Sequence, residues 1–490
     1  MNSDRLNKLA NSKITITAHE RFPGGTFTAQ SNLVIEDMPP FYRVRLIMKP
    51  VAASYIVTEI WLPDEENWNG RFLGLGNGGL AGLIRYKDLG KNVKLGYACA
   101  NTDLGTSRGE SSGIDCPAVW DDFGWRATHL MTVAGKKAVR LYYGKSPKKS
   151  YFYGSSTGGQ QAISEAERFP RDYDGIVSGV AAMNRTSLHV YFLWNWLAMR
   201  REDGTPAFDA EKIALINRLA VEFFKTTGGT EQGDAFISLP WDGEKTAKRF
   251  VSYIKENSDD FTDEELERLE KYYSGPKDRV TGERIYCGVP IGAEASKGGL
   301  ERACGEKSAY FFPFVWAFGA GYKADSFDFS SDYRKLNEIL APHVNATGAD
   351  LRAFAEAGGK MIGFSGTADP TVPYPESLGY YDRAARISGG YEKLGESFRF
   401  YMMPGRAHKG GPGATDLYAP DDEKRNRGPL AALEKWVEEE RAPFEMTAVS
   451  KPDEAFPEKE LFERTVYPYG LSDECPFKPD NHAPGCENLY

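Results

Sequence analysis

Five residues, Gly154-Ser155-Ser156-Thr157-Gly158, constrain this chain more than any other stretch. They follow a strand-like run, Lys149-Ser150-Tyr151-Phe152-Tyr153, and lead into a helical stretch, Gln160-Gln161-Ala162-Ile163-Ser164-Glu165-Ala166-Glu167. A G-x-S-x-G between a strand and a helix is a nucleophile elbow, a turn so tight that the residues flanking the serine must be nearly free of side chain. Glycine makes up 51 of the 490 residues, so the pentapeptide alone is also compatible with a Gly/Ser surface loop. The flanking strand and helix carry the reading.

An elbow serine needs an acid and a histidine later in the chain, in the order Ser, Asp/Glu, His. Among the six histidines, His408 lies in Met403-Pro404-Gly405-Arg406-Ala407-His408-Lys409-Gly410-Gly411-Pro412-Gly413, a Gly/Pro loop after the strand Phe398–Met402. The run Lys360–Gly366 reads as a buried strand that opens into Thr367-Ala368-Asp369-Pro370, placing Asp369 just past a strand end. Asp369 also suits a helix N-cap or an Asx turn, and His408 also suits a loop histidine that bonds backbone. Joint order and spacing favour a Ser156, Asp369, His408 triad. The fold this implies is α/β, an α/β-hydrolase with a doubly wound, mostly parallel sheet.

The rest of the chain fits that frame. Alternating strands between residues 13 and 62 suit leading antiparallel strands, and strand–helix alternation then continues to Asp174–Val180. Residues 183–350 interrupt the alternation between nucleophile and acid, which reads as a lid domain inserted between a first core part, 1–182, and a second, 351–490. The interruption holds a capping box, Thr262-Asp263-Glu264-Glu265, opening a helix that ends at Gly275. It also holds aromatic clusters with Trp194, Trp196, Phe314 and Trp316, which build the lid's own core, wall a slot for a planar acyl group, or do both.

The chain resembles the tannase/feruloyl esterase family of serine esterases. The shared stretches are Trp68–Gly79, Asn101-Thr102-Asp103-Leu104-Gly105, Tyr153–Gly159, Phe169–Val177, Gly366–Pro370 and Met403–Gly413, spread from about residue 15 to residue 470. The resemblance implies Ser156 as nucleophile, His408 as base and Asp369 as orienting acid. It also implies an oxyanion hole from the Thr157 N–H and the turn at Gly78 or Gly79, and esters of phenolic acids such as gallate or ferulate as substrates. Esterases of other small esters, and a catalytically silent binder of phenolic ligands, are the alternatives.

The departures are specific. Where the family places a cysteine before the nucleophile and another after the histidine, this chain has Ser155 and Lys409; Tyr42 and Tyr467 stand at two further family cysteine positions. The apparent counterpart of the family's lid calcium segment, Thr227–Asp234, lacks most of its carboxylates, whereas a hard cation takes six to eight oxygens. No metal or other cofactor is expected.

Net charge is −9, which argues against nucleic acid or an anionic membrane surface as partner, and no run approaches the roughly 18 apolar residues of a membrane span. Met1–Lys8 has no apolar core of a signal peptide. Cys99, Cys116, Cys287, Cys304, Cys475 and Cys486 fall in three close pairs, which would suit a secreted protein, yet the family's bridge positions are replaced. The expectation is a cytoplasmic enzyme acting on a small aromatic ester, with secretion as the alternative if a leader has been removed.

Overall fold

The computed structural model describes residues 3–29, 32–230, 233–240, 243–305, 311–454 and 456–479. Cys486 and His482 lie outside the described residues. The strands are β1 (Ile14–Phe22), β2 (Gly25–Thr28), β3 (Val34–Met38), β4 (Phe41–Met48), β5 (Ile56–Pro63), β6 (Arg71–Leu75) and β7 (Ala98–Thr102). They continue as β8 (Lys149–Ser155), β9 (Gly175–Gly179), β10 (Lys360–Gly366), β11 (Phe398–Met403), β12 (Asp416–Tyr418), β13 (Met446–Val449) and β14 (Glu463–Val466).

A nine-stranded sheet runs in the order β1-β4-β5-β7-β6-β8-β9-β10-β11. The leading strands β1, β4, β5 and β7 pair antiparallel, and β7, β6, β8 and β9 pair parallel. Their burial follows from that layout. On β4, near the antiparallel edge, buried Phe41, Val44, Leu46 and Met48 alternate with half-buried Arg43, Arg45 and Ile47. On β8 and β9, covered on both faces, Tyr151, Phe152, Ile176 and Val177 are all buried. Each such side chain contributes on the order of 1.5–3 kcal/mol of burial. One carboxylate, Glu59 on β5, is buried in this sheet. Arg43 grips it with two N–H bonds of 2.7 and 3.0 Å, and the Trp61 indole and Tyr86 hydroxyl donate to it as well.

Two compact units divide the chain. The first is Met1–Met183, Phe314–Tyr322 and Leu340–Met361; the second is Asn184–Pro313, Lys323–Ile339 and Ile362–Tyr490. In the first, the helix Ala127–Tyr143 ends at Gly144, whose φ of 73° supplies the left-handed residue that terminates it. The second is largely helical between Arg185 and Ser274. There Thr262 accepts the Glu265 N–H, and the Glu265 carboxylate accepts the Thr262 N–H, so the expected capping box opens Asp263–Ser274, and Gly275 closes it. No helix among the described residues is long and apolar enough to cross a membrane.

Candidate active site

Strand β8 ends in a sharp turn at Ser156, whose φ of 63° and ψ of −119° lie where non-glycine residues are strained. Backbone bonds hold it there. The Ser156 N–H donates to the Gly179 carbonyl at 3.0 Å, and the Ser156 carbonyl accepts the N–H groups of Gln160 and Ala182. Helix Thr157–Arg168 starts at the next residue. The glycines around Ser156 are there for space. A Cβ on Gly154 would sit 2.2 Å from the Gly158 carbonyl oxygen, and one on Gly76 would sit 2.6 Å from the Gly158 Cα. Strand β8, the turn after β6 and the elbow helix therefore approach as closely as bare backbone permits. Gly154→Ala is expected to destabilise the protein by more than about 3 kcal/mol, since backbone rather than a movable side chain blocks the methyl group. A chemical-denaturation midpoint within error of wild type would refute this.

The turn after β6 is fastened to the same helix. The Gly158 N–H donates to the Asn77 carbonyl (2.9 Å), the Asn77 N–H to the Gln161 side-chain oxygen (2.8 Å), and the Thr157 hydroxyl to the Gly79 carbonyl (2.6 Å). Gly79 has a φ of 61°, so glycine is favoured there by conformation, while a Cβ at Gly78 or Gly79 meets no protein atom within 4 Å. A second loop supports the first. The Asn77 side-chain amide donates to the Thr102 carbonyl at 2.8 Å, and Thr106 donates to Leu80. Asp103 shapes this loop by accepting the N–H groups of Val57 and Gly105, although burial pushes its carboxyl above the usual range. Asn77, Gln161 and Asp103 were not picked out by the sequence as site residues. The signal for Asn77 and Asp103 lay in the motifs Leu75–Gly79 and Asn101–Gly105, but nothing there says which backbone group each side chain meets.

The second unit brings Asp369 and His408 together. Buried β10 carries the chain to Asp369, which is wholly inaccessible, and its Oδ2 lies 2.9 Å from Nδ1 of His408. The other oxygen, Oδ1, accepts the N–H groups of Thr371 and Val372 at 2.8 and 2.9 Å. Asp369 is thus both the Asx-turn residue that the following proline suggested and a partner of the histidine. A carboxylate oxygen can only accept, so the tautomer that completes this hydrogen bond carries its proton on Nδ1. The two loops are zipped by backbone. Thr367 N–H donates to Met403, Ala368 N–H to Arg406, and Gly405 N–H to the Thr367 hydroxyl. Gly405, Gly410 and Gly411 supply the positive φ angles of the histidine loop.

Of the aromatic candidates, Phe314 and Trp316 belong to the first unit and are wholly buried. The Trp316 indole donates to the Glu110 carbonyl and lies flush on Gly113, where a Cβ would come 2.1 Å from the ring. These two rings are packing residues, corrected from slot candidates by their lack of accessible surface. Trp194 and Trp196 are half-buried in the second unit, and their indoles donate to Lys271 and Gly305 carbonyls.

Ser155 is half-buried and Lys409 exposed. Among the described cysteines, Cys99, Cys116, Cys304 and Cys475 carry no disulfide, and Cys99 is a fully buried thiol whose pKa burial raises. Activity is therefore expected to survive millimolar dithiothreitol unchanged. Loss of activity that reoxidation restores would overturn this.

The sequence model of the family described as tannase and feruloyl esterase matches residues 44–469. An uncharacterised esterase of Xanthomonas campestris pv. campestris is 31% identical over 89% of this chain and 81% of its own length. A probable feruloyl esterase B-1 of Aspergillus flavus is 28% identical over 84% of this chain and 79% of its own. In fold, the crystal structure of feruloyl esterase B from Aspergillus oryzae superposes with a TM-score of 0.83, covering 98% of each chain at 21% identity. By sequence over most of its length, this chain belongs to the tannase and feruloyl esterase family, and it is a carboxylic ester hydrolase with an α/β-hydrolase fold.

Proposed function

We propose that the chain hydrolyses esters of phenolic acids, of galloyl or feruloyl type, through an acyl-enzyme on Ser156. The observation that carries the mechanism is the pairing of a fully buried Asp369 with Nδ1 of His408, which leaves Nε2 as the base. His408 takes the Ser156 proton as Oγ attacks the ester carbonyl, then gives that proton to the leaving alcohol. Water enters, loses a proton to His408, and releases the acid as Ser156 is reprotonated. Asp369 fixes the tautomer and stabilises the imidazolium. The Thr157 N–H at the elbow helix N-terminus and an N–H of the Gly78–Gly79 turn hold the oxyanion, at about 3–4 kcal/mol per donor. The Thr157–Gly79 hydroxyl bond and the Gly158–Asn77 backbone bond support that assignment by fixing turn to helix.

The phenolic acyl group rests on the relatives named feruloyl esterase. In this chain, Trp194 and Trp196 retain ring surface for a planar group. The step needs no cofactor, and the lid segment is read as holding no calcium. Its carboxylate among the described residues, Asp234, is taken bidentately by Arg464 at 2.7 and 2.5 Å, so it is committed to a guanidinium rather than to a cation. Methyl ferulate, methyl gallate and methyl butyrate compared by kcat/KM test the substrate class. A preference for the aliphatic ester would overturn the phenolic reading, and absence of a nitrophenol burst from nitrophenyl acetate would overturn the acyl-enzyme.

A further inference from the structure

Away from Ser156, the elbow helix carries a second cluster. Glu165 on that helix, His129 near the start of helix Ala127–Tyr143, and Asp172 in the turn that follows the elbow helix each offer a donor atom, all within 4.8 Å of one another. His129 Nδ1 lies 2.6 Å from Asp172 Oδ2, and the imidazole stacks on Phe169 with centroids 3.8 Å apart and planes 11° apart, which fixes its orientation. Glu165 is the unexplained member. It is 1% exposed, no N–H or hydroxyl donor reaches either carboxylate oxygen among the described residues, and the side chain it faces at hydrogen-bond range is another carboxyl, that of Asp172. Leaving both oxygens of a buried carboxyl unmatched costs on the order of 1–3 kcal/mol or more, and more still if it is charged. Burial first, and then neighbouring Asp172, push its carboxyl well above the usual range. Lys136 acts on this carboxyl as well, but its ammonium donates to the Asp172 backbone carbonyl and burial lowers its own pKa.

We propose that His129, Glu165 and Asp172 form a structural site for a divalent zinc ion, with water as the remaining ligand. One imidazole and two carboxylates are a borderline donor set that zinc accepts with four ligands, whereas calcium would require twice as many oxygens or nearly so. The two carboxylates neutralise the ion, and the ion gives Glu165 the partner that its burial demands. As zinc takes Nδ1 of His129 the ring proton moves to Nε2, and any proton on Glu165 leaves. Tetrahedral donors at about 2.0–2.1 Å from zinc stand about 3.3 Å apart, so the widest pair closes by at most about 1.5 Å while the His129–Asp172 pair opens by about 0.7 Å. His129 and Asp172 are 27% and 18% accessible, so an ion can enter from the surface while Glu165 closes the floor. The site would tie the elbow helix to the helix Ala127–Tyr143 at the end away from the nucleophile.

The test uses the full chain, stripped with chelator, freed of it, and titrated with zinc chloride by calorimetry alongside thermal melts. One equivalent should bind with a rise in Tm, and calcium chloride should give neither. Glu165→Gln, nearly isosteric, and His129→Gln, at the accessible edge, should each weaken zinc binding by about 10- to 100-fold or more. If Glu165→Gln does not fold, His129→Gln decides alone. No stoichiometric binding to wild type, or binding that a folded variant leaves unchanged, would overturn the site. The readout is binding, so it stands apart from the outcome of any ester assay.

Discussion

Ser156→Ala is expected to lower kcat by about 10⁴-fold or more while leaving the melting temperature within a few degrees of wild type. The two halves of that expectation come from different atoms. The bonds that hold the elbow run through the backbone, from the Ser156 N–H to Gly179 and from Gln160 and Ala182 to the Ser156 carbonyl. Alanine keeps all of them, and it keeps the Cβ, so the strain at a φ of 63° is unchanged. Only the hydroxyl goes. Turnover then depends on whatever positioning and oxyanion stabilisation remain, a residue of catalysis that other serine hydrolases retain in the absence of their nucleophile. Single-turnover release of ferulate and a thermal melt on the same preparation measure both halves. Retention of more than about a tenth of kcat would remove Ser156 as nucleophile and turn attention to Ser155.

Much of this architecture could be read in advance because it rests on local chemistry. Alternation on β4, the buried run of β10, and the capping box at Thr262 each need only a few neighbouring residues, and the structure has them as expected. The elbow glycines were legible for the same reason: no other residue fits between backbones as close as those of Gly154 and Gly158. Contacts formed across long sequence separations were not legible. Nothing near Gln161 says that its side chain accepts the N–H of Asn77, 84 residues earlier, while donating to the Thr128 hydroxyl. Trp316 shows the opposite failure. An aromatic run in the middle of a lid-like insertion suits the lid's own core, slot lining or both, yet the segment Phe314–Tyr322 clusters with the first unit and the ring closes over Gly113. Aromatic composition records the area to be buried and is silent on whether protein or ligand buries it.

Asp369→Asn should cost about 10⁴-fold in kcat with little loss of stability, and the reason is which oxygen does what. Oδ1 accepts two backbone N–H groups, from Thr371 and Val372, and Oδ2 faces Nδ1 of His408. An asparagine here has one oxygen and one NH₂ to place. Turning the NH₂ toward Thr371 and Val372 would set donor against two donors in a fully buried position, so the amide oxygen stays on the backbone. The NH₂ then points at His408 and requires Nδ1 to accept, which moves the ring proton to Nε2. In that tautomer the imidazole cannot take a proton from Ser156 at all. The turn Asp369–Val372 keeps its bonds, so the fold survives. Asp369→Ala gives the contrast: it loses the turn bonds as well, and should lower stability by about 1–3 kcal/mol while also failing to orient His408. Comparable kcat losses in the two variants, with a stability loss only in the alanine, would separate tautomer control from scaffolding. An asparagine variant that keeps more than about a tenth of wild-type kcat would mean that the His408 tautomer is set by something other than Asp369.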